Sequence, residues 1–255
     1  MIPLKTPKEI GLMQQSGRIA FSILRQVMKR IRPGISTLEL EQLAQSLIKK
    51  FGVQASFPTV GHYPYSLCVS VNEEVVHGLP GKRRLKKGDL VSVDFGVIFQ
   101  GWHSDVARTV WIKDETIKSQ ERKSIEKFLA TGKKALEEAT REARIGNRVG
   151  HISFAIQQVI ESAGYNVVKV LTGHGVGRKL HEKPQIPCFL KGRVEQTPVL
   201  KEGMVLAIEV MYALGSGEVK VAKDNWTIIT SDHSLSAHFE NTVAITKKGP
   251  VVLTK

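Results

Sequence analysis

Apolar residues recur at helical spacing from the first turns of the chain. Ile10, Met13, Ala20, Phe21, Leu24, Val27, Met28 and Ile31 fall on one helical face, the mark of an amphipathic segment packed on a core. Thr6-Pro7-Lys8-Glu9 has the form of a capping box with proline at the first helical position, and Arg32-Pro33-Gly34 closes the run. Ser36-Thr37-Leu38-Glu39 opens a second helix, with Leu40, Leu43, Leu47 and Ile48 on its buried side and Gly52 just past its end. The period then shortens to that of strands, over 67–71, 90–95 and 106–112, separated by Gly, Pro and Asn. Helical periodicity returns over 119–144 and 149–163, followed by strand-like stretches at 167–171, 205–211, 226–230 and 238–246.

The order helix, helix, strands therefore occurs twice. Residues repeat with it. Ile31-Arg32-Pro33-Gly34 precedes Ala143-Arg144-Ile145-Gly146 by 112 positions (146 − 34), and Gly52 precedes Gly164 by the same interval. The stretch from Leu85 to Asp94 precedes the one from Leu200 to Glu209 by 115 (209 − 94). His77-Gly78-Leu79-Pro80 is matched by His181-Glu182-Lys183-Pro184. These matches, in one consistent order, predict an internal duplication. The expected architecture is α+β: residues 1–255 as a single domain, with halves of about 1–115 and 116–255 related by pseudo-symmetry.

Two carboxylates stand out against this pattern. Asp94 ends the apolar run Leu90-Val91-Ser92-Val93, and Glu209 ends Val205-Leu206-Ala207-Ile208. A carboxylate in an apolar strand pays a large desolvation cost unless a cation or donor compensates it. One such residue is commonly a salt-bridged core carboxylate. Two at matched positions of a duplicated unit point to a shared site. Asp105 lies 11 residues beyond Asp94 (105 − 94), across a hairpin turn expected at Gln100-Gly101, a spacing that lets both side chains face one point. Taken alone, Asp105 reads equally as a surface residue beside a turn. Glu240, within Ala237-His238-Phe239-Glu240-Asn241, is similarly open. His174 lies in the Gly-rich loop Thr172-Gly173-His174-Gly175-Val176-Gly177, whose glycines leave the imidazole uncrowded. That loop lacks the Lys-Ser/Thr of a phosphate-binding loop.

Four carboxylates and an imidazole, with no thiolate, suit Mn, Fe(II), Co or Zn. Converging acids need neutralisation, so two divalent cations are the economical expectation.

Composition narrows the setting. At 42% hydrophobic and 24% charged, the chain is an ordinary globular protein. Cys68 and Cys188 lie far apart and read as reduced thiols. No apolar stretch of about 18 residues occurs, and the first residues lack the apolar core of a signal peptide. The expectation is a soluble, cytoplasmic protein with no membrane contact, probing neither bilayer nor secretory path. A net charge of +13, densest at Lys82-Arg83-Arg84, Lys86-Lys87 and Arg141/Arg144/Arg148, reads first as a well-solvated surface. It also allows a weak, salt-sensitive attraction to an RNA-rich partner such as the ribosome. Aromatic interleaving for base stacking is absent.

These motifs together resemble the methionine aminopeptidases, in the short type I bacterial-like form. The motifs are His77-Gly78-Leu79-Pro80, Val93-Asp94-Phe95-Gly96, the stretch from Gly101 to Asp105, Thr172 to Gly177, His181-Glu182-Lys183-Pro184, and Ser234 to Glu240. The resemblance covers nearly the whole chain and implies the pita-bread fold around a dinuclear metal centre. It implies Asp94, Asp105, His174, Glu209 and Glu240 as metal ligands, with Asp105 and Glu240 bridging. It implies His77 and His181 as histidines that hold the scissile amide, and Glu209 as the group that handles the proton of the attacking water. Nascent polypeptide N-termini are the implied substrate, with a small second residue preferred. The resemblance does not bear on oligomeric state, for which a monomer is the expectation. Tyr63, Cys68 and Trp226 match the positions that line the methionine pocket. Phe57, Val60 and Leu180 depart from the residues common there (Cys, Tyr and Phe) but stay apolar. Val210 stands after Glu209 where proline is frequent, which reads as a looser strand edge.

Two other readings remain at this point. Xaa-Pro aminopeptidases and prolidases share the fold and ligands, but usually carry a separate N-terminal domain for which 255 residues leave no room. Non-catalytic pita-bread proteins that bind RNA or a partner typically lose metal ligands, whereas all five stand here.

Overall fold

The computed structural model describes residues 1–255. Helix α1 (Pro7–Met28) starts at the expected capping box, in which the Thr6 hydroxyl accepts from the Glu9 amide and the Glu9 carboxylate accepts from the Thr6 amide. Helix α2 (Thr37–Phe51) starts the same way at Ser36 and stops at Gly52, whose left-handed backbone (φ 65°) ends it. Then come β1 (Gln54–Ala55), β2 (Leu67–Val71), β3 (Glu74–Val76), β4 (Leu90–Phe99) and β5 (Trp102–Trp111). Helices α3 (Ser119–Glu142) and α4 (Val149–Ser162) follow. The chain closes with β6 (Asn166–Val167), β7 (Thr172–Gly175), β8 (Glu182–Pro187), β9 (Val205–Ala213), β10 (Val219–Val221), β11 (Ile228–Thr230), β12 (Ser236–Thr246) and β13 (Gly249–Val252).

Three antiparallel sheets result. One orders β1-β4-β2 with β5 on the far side of β4, one orders β13-β12-β9-β7-β8 with β6 also on β9, and a small one orders β10-β11-β3. The expected hairpin forms: Phe99 faces Trp102 in register, and Gln100 (φ 50°) and Gly101 (φ 76°) make the two-residue turn.

Side-chain alternation assigns the sheet faces. Val91, Val93, Phe95 and Val97 of β4 and Val106 of β5 pack into a core with α1 and α2. Leu206, Ile208 and Val210 of β9 and Phe239, Val243 and Ile245 of β12 pack into a second core with α3 and α4. Because strands have a period of two, Asp94, Asp105, Glu209 and Glu240 are turned to the opposite faces, away from both helical layers.

The halves meet where β5 lies beside β12. Threonines stitch this seam reciprocally. Thr242 Oγ1 receives the Asp105 amide (2.9 Å) and donates to the Asp105 carbonyl (2.8 Å). Thr109 Oγ1 receives the His238 amide (2.9 Å) and donates to the His238 carbonyl (2.8 Å). Asp105 and His238, and Thr109 and Thr242, are each 133 positions apart (238 − 105, 242 − 109). Loop bonds repeat as well. Gly34 donates to Leu85 O and Gly146 to Leu200 O, while the bridge Ser36–Arg84 has its counterpart in Arg148–Val199. The architecture is that of two pseudo-symmetric α+β halves.

Several sequence expectations need correction. The stretch 167–171 is not a strand: β6 ends at Val167, and residues 168–171 run as an irregular link along the cavity rim. The Gly-rich segment around His174 is strand β7, not a loop. A side chain at Gly173 would sit 2.5 Å from the Ala207 carbonyl, so glycine there permits close strand approach. Trp226 precedes β11 in a turn held by Asp224. The two His-x-x-Pro segments are not structural equivalents: His77 follows β3 at φ 59°, whereas His181 immediately precedes β8. Nor is β9 loosened at Val210, which is fully buried in an unbroken strand.

Candidate metal centre and substrate cavity

Register brings the acids together. On β4 and β5, Asp94 faces Ala107 and Gly96 faces Asp105, so the two aspartates are diagonal neighbours on one face. On β9 and β12, Glu209 and Glu240 are direct partners. Ligand atoms of Asp105, His174 and Glu240 lie within 4.8 Å of one another. His174 Nε2 is 3.8 Å from Asp105 Oδ2 and 4.0 Å from Glu209 Oε1, and its Nδ1 lies 2.9 Å from the Gly175 carbonyl. That contact leaves Nε2 turned to the acids.

This arrangement is electrostatically unfavourable on protein charges alone. Burial, then the neighbouring Asp105 and Glu209 charges, pushes Asp94 well above the carboxylate range. Burial and Glu209 push Asp105 up to about 8. Burial and the other three acids push Glu240 well up, with Arg108 opposing. Asp94 Oδ1 and Glu240 Oε1 are buried without any hydrogen-bond partner. Convergent buried carboxylate oxygens with unused lone pairs are what a divalent cation satisfies. The donor set, oxygens plus one imidazole nitrogen, fits such an ion. The residues present therefore fit the metal that the sequence pattern implies.

The acids form the floor of a cavity of about 1010 Å³ lined by 25 residues. Every residue expected at the site lines it: Phe57, Val60, Tyr63, Cys68, His77, Asp94, Asp105, His174, Leu180, His181, Glu209, Trp226 and Glu240. One end is apolar. Phe57, Tyr63, Cys68 and Leu180 form a buried cluster with Val60, Tyr65, Leu79 and Trp226 packed on it. The Tyr63 ring meets Trp226 edge-on at 5.2 Å and Phe57 at 6.1 Å, and its hydroxyl donates to the Leu67 and Gly78 carbonyls. Burial pushes the Cys68 thiol well up, so it lines this end uncharged. His181 sits edge-on to His174 at 4.4 Å. Burial, then His174, pulls its pKa down to about 4, and burial lowers His77. Both imidazoles therefore present neutral nitrogens to the cavity at neutral pH.

Ile2, Val170, Leu171 and Pro198 also line the cavity and were not among the residues expected there. They come from segments with no chemical signature, so only the fold could assemble them. His238 lines the cavity too, and the period-two spacing from Glu240 was the signal that it shares the acids' face.

Fold and site define a pita-bread metallohydrolase. The model of metallopeptidase family M24 matches residues 11–247. The chain is 44% identical to a methionine aminopeptidase of Clostridium perfringens over 254 residues (100% of this chain, 99% of the relative). It is 45% identical to methionine aminopeptidase 1 of Bacillus subtilis, with both chains covered in full. The crystal structure of methionine aminopeptidase from Thermotoga maritima superposes with a TM-score of 0.93 at 42% identity, covering both chains completely. A prolidase of Pyrococcus horikoshii shares the fold alone, with a TM-score of 0.76 at 24% identity over 99% of this chain and 63% of its own. The chain belongs to metallopeptidase family M24, among its methionine aminopeptidases.

Proposed function

We infer that this chain is an aminopeptidase that removes methionine from the N-termini of nascent polypeptides. The observation that carries the reading is the adjacency of a carboxylate–imidazole cluster and a closed apolar pocket within one cavity. The pocket is of the kind that takes an unbranched thioether side chain. The cluster lines the same cavity, within which the adjoining peptide bond would be held.

Asp94, Asp105, His174, Glu209 and Glu240 would hold two divalent ions (Co, Mn, Fe(II) or Zn). When bound, such ions supply Lewis acidity toward a peptide carbonyl and acidify water. The chain's own groups do the rest. Phe57, Val60, Tyr63, Cys68, Leu180 and Trp226 bury the methionine side chain and exclude water from it. His77 and His181 hold the scissile amide, and His181 donates to the carbonyl oxygen as charge develops there. Glu209 takes the proton of the attacking water and passes it to the leaving amine. Crowding by the wall beyond the cleaved bond favours a small second residue.

The chain acts as one catalytic unit, residues 1–255, with halves divided near 115, and we read it as a cytoplasmic monomer. No helix is long and apolar enough to cross a membrane. The charge of +13 supports a weak electrostatic association with ribosomes.

The test is direct: incubate the metal-loaded protein with Met-Ala-Ser, Met-Leu-Ser and Ala-Pro-Ser, with and without chelator. Chelator-sensitive release of methionine from Met-Ala-Ser, slower from Met-Leu-Ser and absent from Ala-Pro-Ser, is the expected result. Cleavage of Ala-Pro-Ser alone would replace this reading with the Xaa-Pro one.

A further inference from the structure

His238 has no role in the reading above, yet it is buried to 2% exposure on the cavity wall. Three observations single it out.

The first is its place in the duplication. On β4 and β5, Asp94 faces Ala107 and Asp105 is its diagonal neighbour, two residues before Ala107. On β9 and β12, Glu209 faces Glu240 and His238 is the diagonal neighbour, two residues before Glu240. The reciprocal threonines fix the same correspondence, since Thr109 holds the His238 backbone as Thr242 holds that of Asp105. His238 therefore stands to Glu209 as Asp105 stands to Asp94.

The second is distance. His238 Nε2 lies 3.3 Å from Glu209 Oε2, while the other oxygen, Oε1, lies 4.0 Å from His174 Nε2. The two oxygens of one carboxylate are thus divided between His238 and the metal-binding cluster.

The third is that both ring nitrogens of His238 lack an aligned hydrogen bond although the ring is buried. The separation from Glu209 is that of a hydrogen bond, and only the angle is missing. Buried polar atoms are rarely left unpaired, and catalytic hydrogen bonds commonly tighten only in the working complex.

We propose that His238 is a positioning residue for Glu209: its Nε2–H holds Oε2, which fixes the tautomer and turns Oε1 toward the metals and the attacking water. The imidazole acts as a hydrogen-bond donor and does not itself touch substrate. The kinetic part of this inference rests on the aminopeptidase reading. The pairing itself does not.

Three variants separate the possibilities. Glutamine places an amide N–H near the position of Nε2, asparagine places one near Nδ1, and alanine removes both. Each would be assayed for kcat and KM on Met-Ala-Ser and for Co(II) affinity by calorimetry with the metal alone. Melting temperature would be followed in parallel. His238→Asn and His238→Ala are expected to lose roughly 10–100-fold in kcat or in Co(II) affinity, the usual effect of removing a ligand's hydrogen-bond partner, with KM little moved. His238→Gln is expected to retain at least about tenfold more than His238→Asn. Since both amides perturb packing similarly, that difference reads the Nε2 bond even if His238→Ala folds poorly. Nitrogen-15 NMR of the Zn-loaded wild type should show His238 protonated on Nε2. Equal Asn and Gln variants, or an Nδ1-protonated ring, would overturn the proposal. Should the wild type release no methionine, the substrate reading falls, and the cobalt titration and the tautomer still decide the pairing.

Discussion

Asp105 is tied into the candidate site by both its side chain and its backbone. It touches the His174 side of the cluster at 3.8 Å, is diagonal to Asp94, and has its backbone clasped by Thr242. Asp105→Asn removes one charge while keeping shape. Turnover is expected to fall below detection and metal occupancy to drop, read by mass spectrometry of the native protein. A variant with wild-type turnover and full metal content would show that Asp105 does not hold metal. His77 makes the opposite prediction, because it lines the cavity but is not among the residues expected to hold metal. His77→Ala should keep its metal content and lose about 10²–10⁴-fold in kcat. Metal loss in that variant would assign His77 a structural role instead. Legibility at this scale was uneven for a physical reason. Asp94 and Glu209 declared themselves because a charge inside an apolar run has no cheap structural explanation. Asp105 beside a turn, and Glu240 and His238 in a mixed segment, look locally like ordinary residues until their strand faces are known.

Among elements, the seam between β5 and β12 decides whether two half-sites become one. It is held by threonine hydroxyls where a sheet would use backbone pairing. Thr109 Oγ1 satisfies both backbone groups of His238 and lies 2.8 Å from Ser92 Oγ. Thr109→Val keeps volume but leaves a buried N–H and a buried C=O unpaired, at a cost of about 1–3 kcal/mol for each group. Thermal unfolding should report a Tm lower by several degrees, and Thr242→Val should behave alike. An unchanged Tm for both would mean the seam is held by packing alone. The helices were readable from sequence because capping boxes and 3.6-residue periodicity are local, and α1 and α2 start at the expected caps. The β7 strand was not, since His174 flanked by glycines has no strand propensity. Its conformation is imposed by β8 and β9, which approach where a Cβ would collide.

The molecule as a whole consists of two helix-backed cores facing each other across an acidic, metal-fitting cavity. Its N-terminal segment is fastened across that arrangement. Lys5 Nζ lies 2.7 Å from Glu182 Oε2, with side chains only 4% and 9% exposed, and Glu182 follows His181 directly. Lys5→Ala leaves a nearly buried carboxylate unpaired, and breaking such a pair costs about 3–5 kcal/mol. Denaturant unfolding should show that loss together with weakened turnover from a displaced His181. Stability matching the wild type would mean that solvent reaches Glu182. Chelation should also lower Tm, because an ion that binds only the folded state adds about 4 kcal/mol at a thousandfold excess over its Kd. A Tm indifferent to chelator would argue against tight metal binding.

The sequence by itself determined the helices and their caps, the repeat of helix-helix-strands, the hairpin at Gln100-Gly101, and the oddity of Asp94 and Glu209 at the ends of apolar runs. All of these depend on local propensity or on the energetic oddity of a charge among apolar neighbours. Only the tertiary structure decided that five residues from five strands converge on one cavity, that departures at Phe57, Val60 and Leu180 still close an apolar pocket, and that His238 occupies in one half the place Asp105 holds in the other. Those outcomes depend on strand register and on the packing of one half against the other. Such contacts join residues more than a hundred positions apart, and no local pattern encodes them.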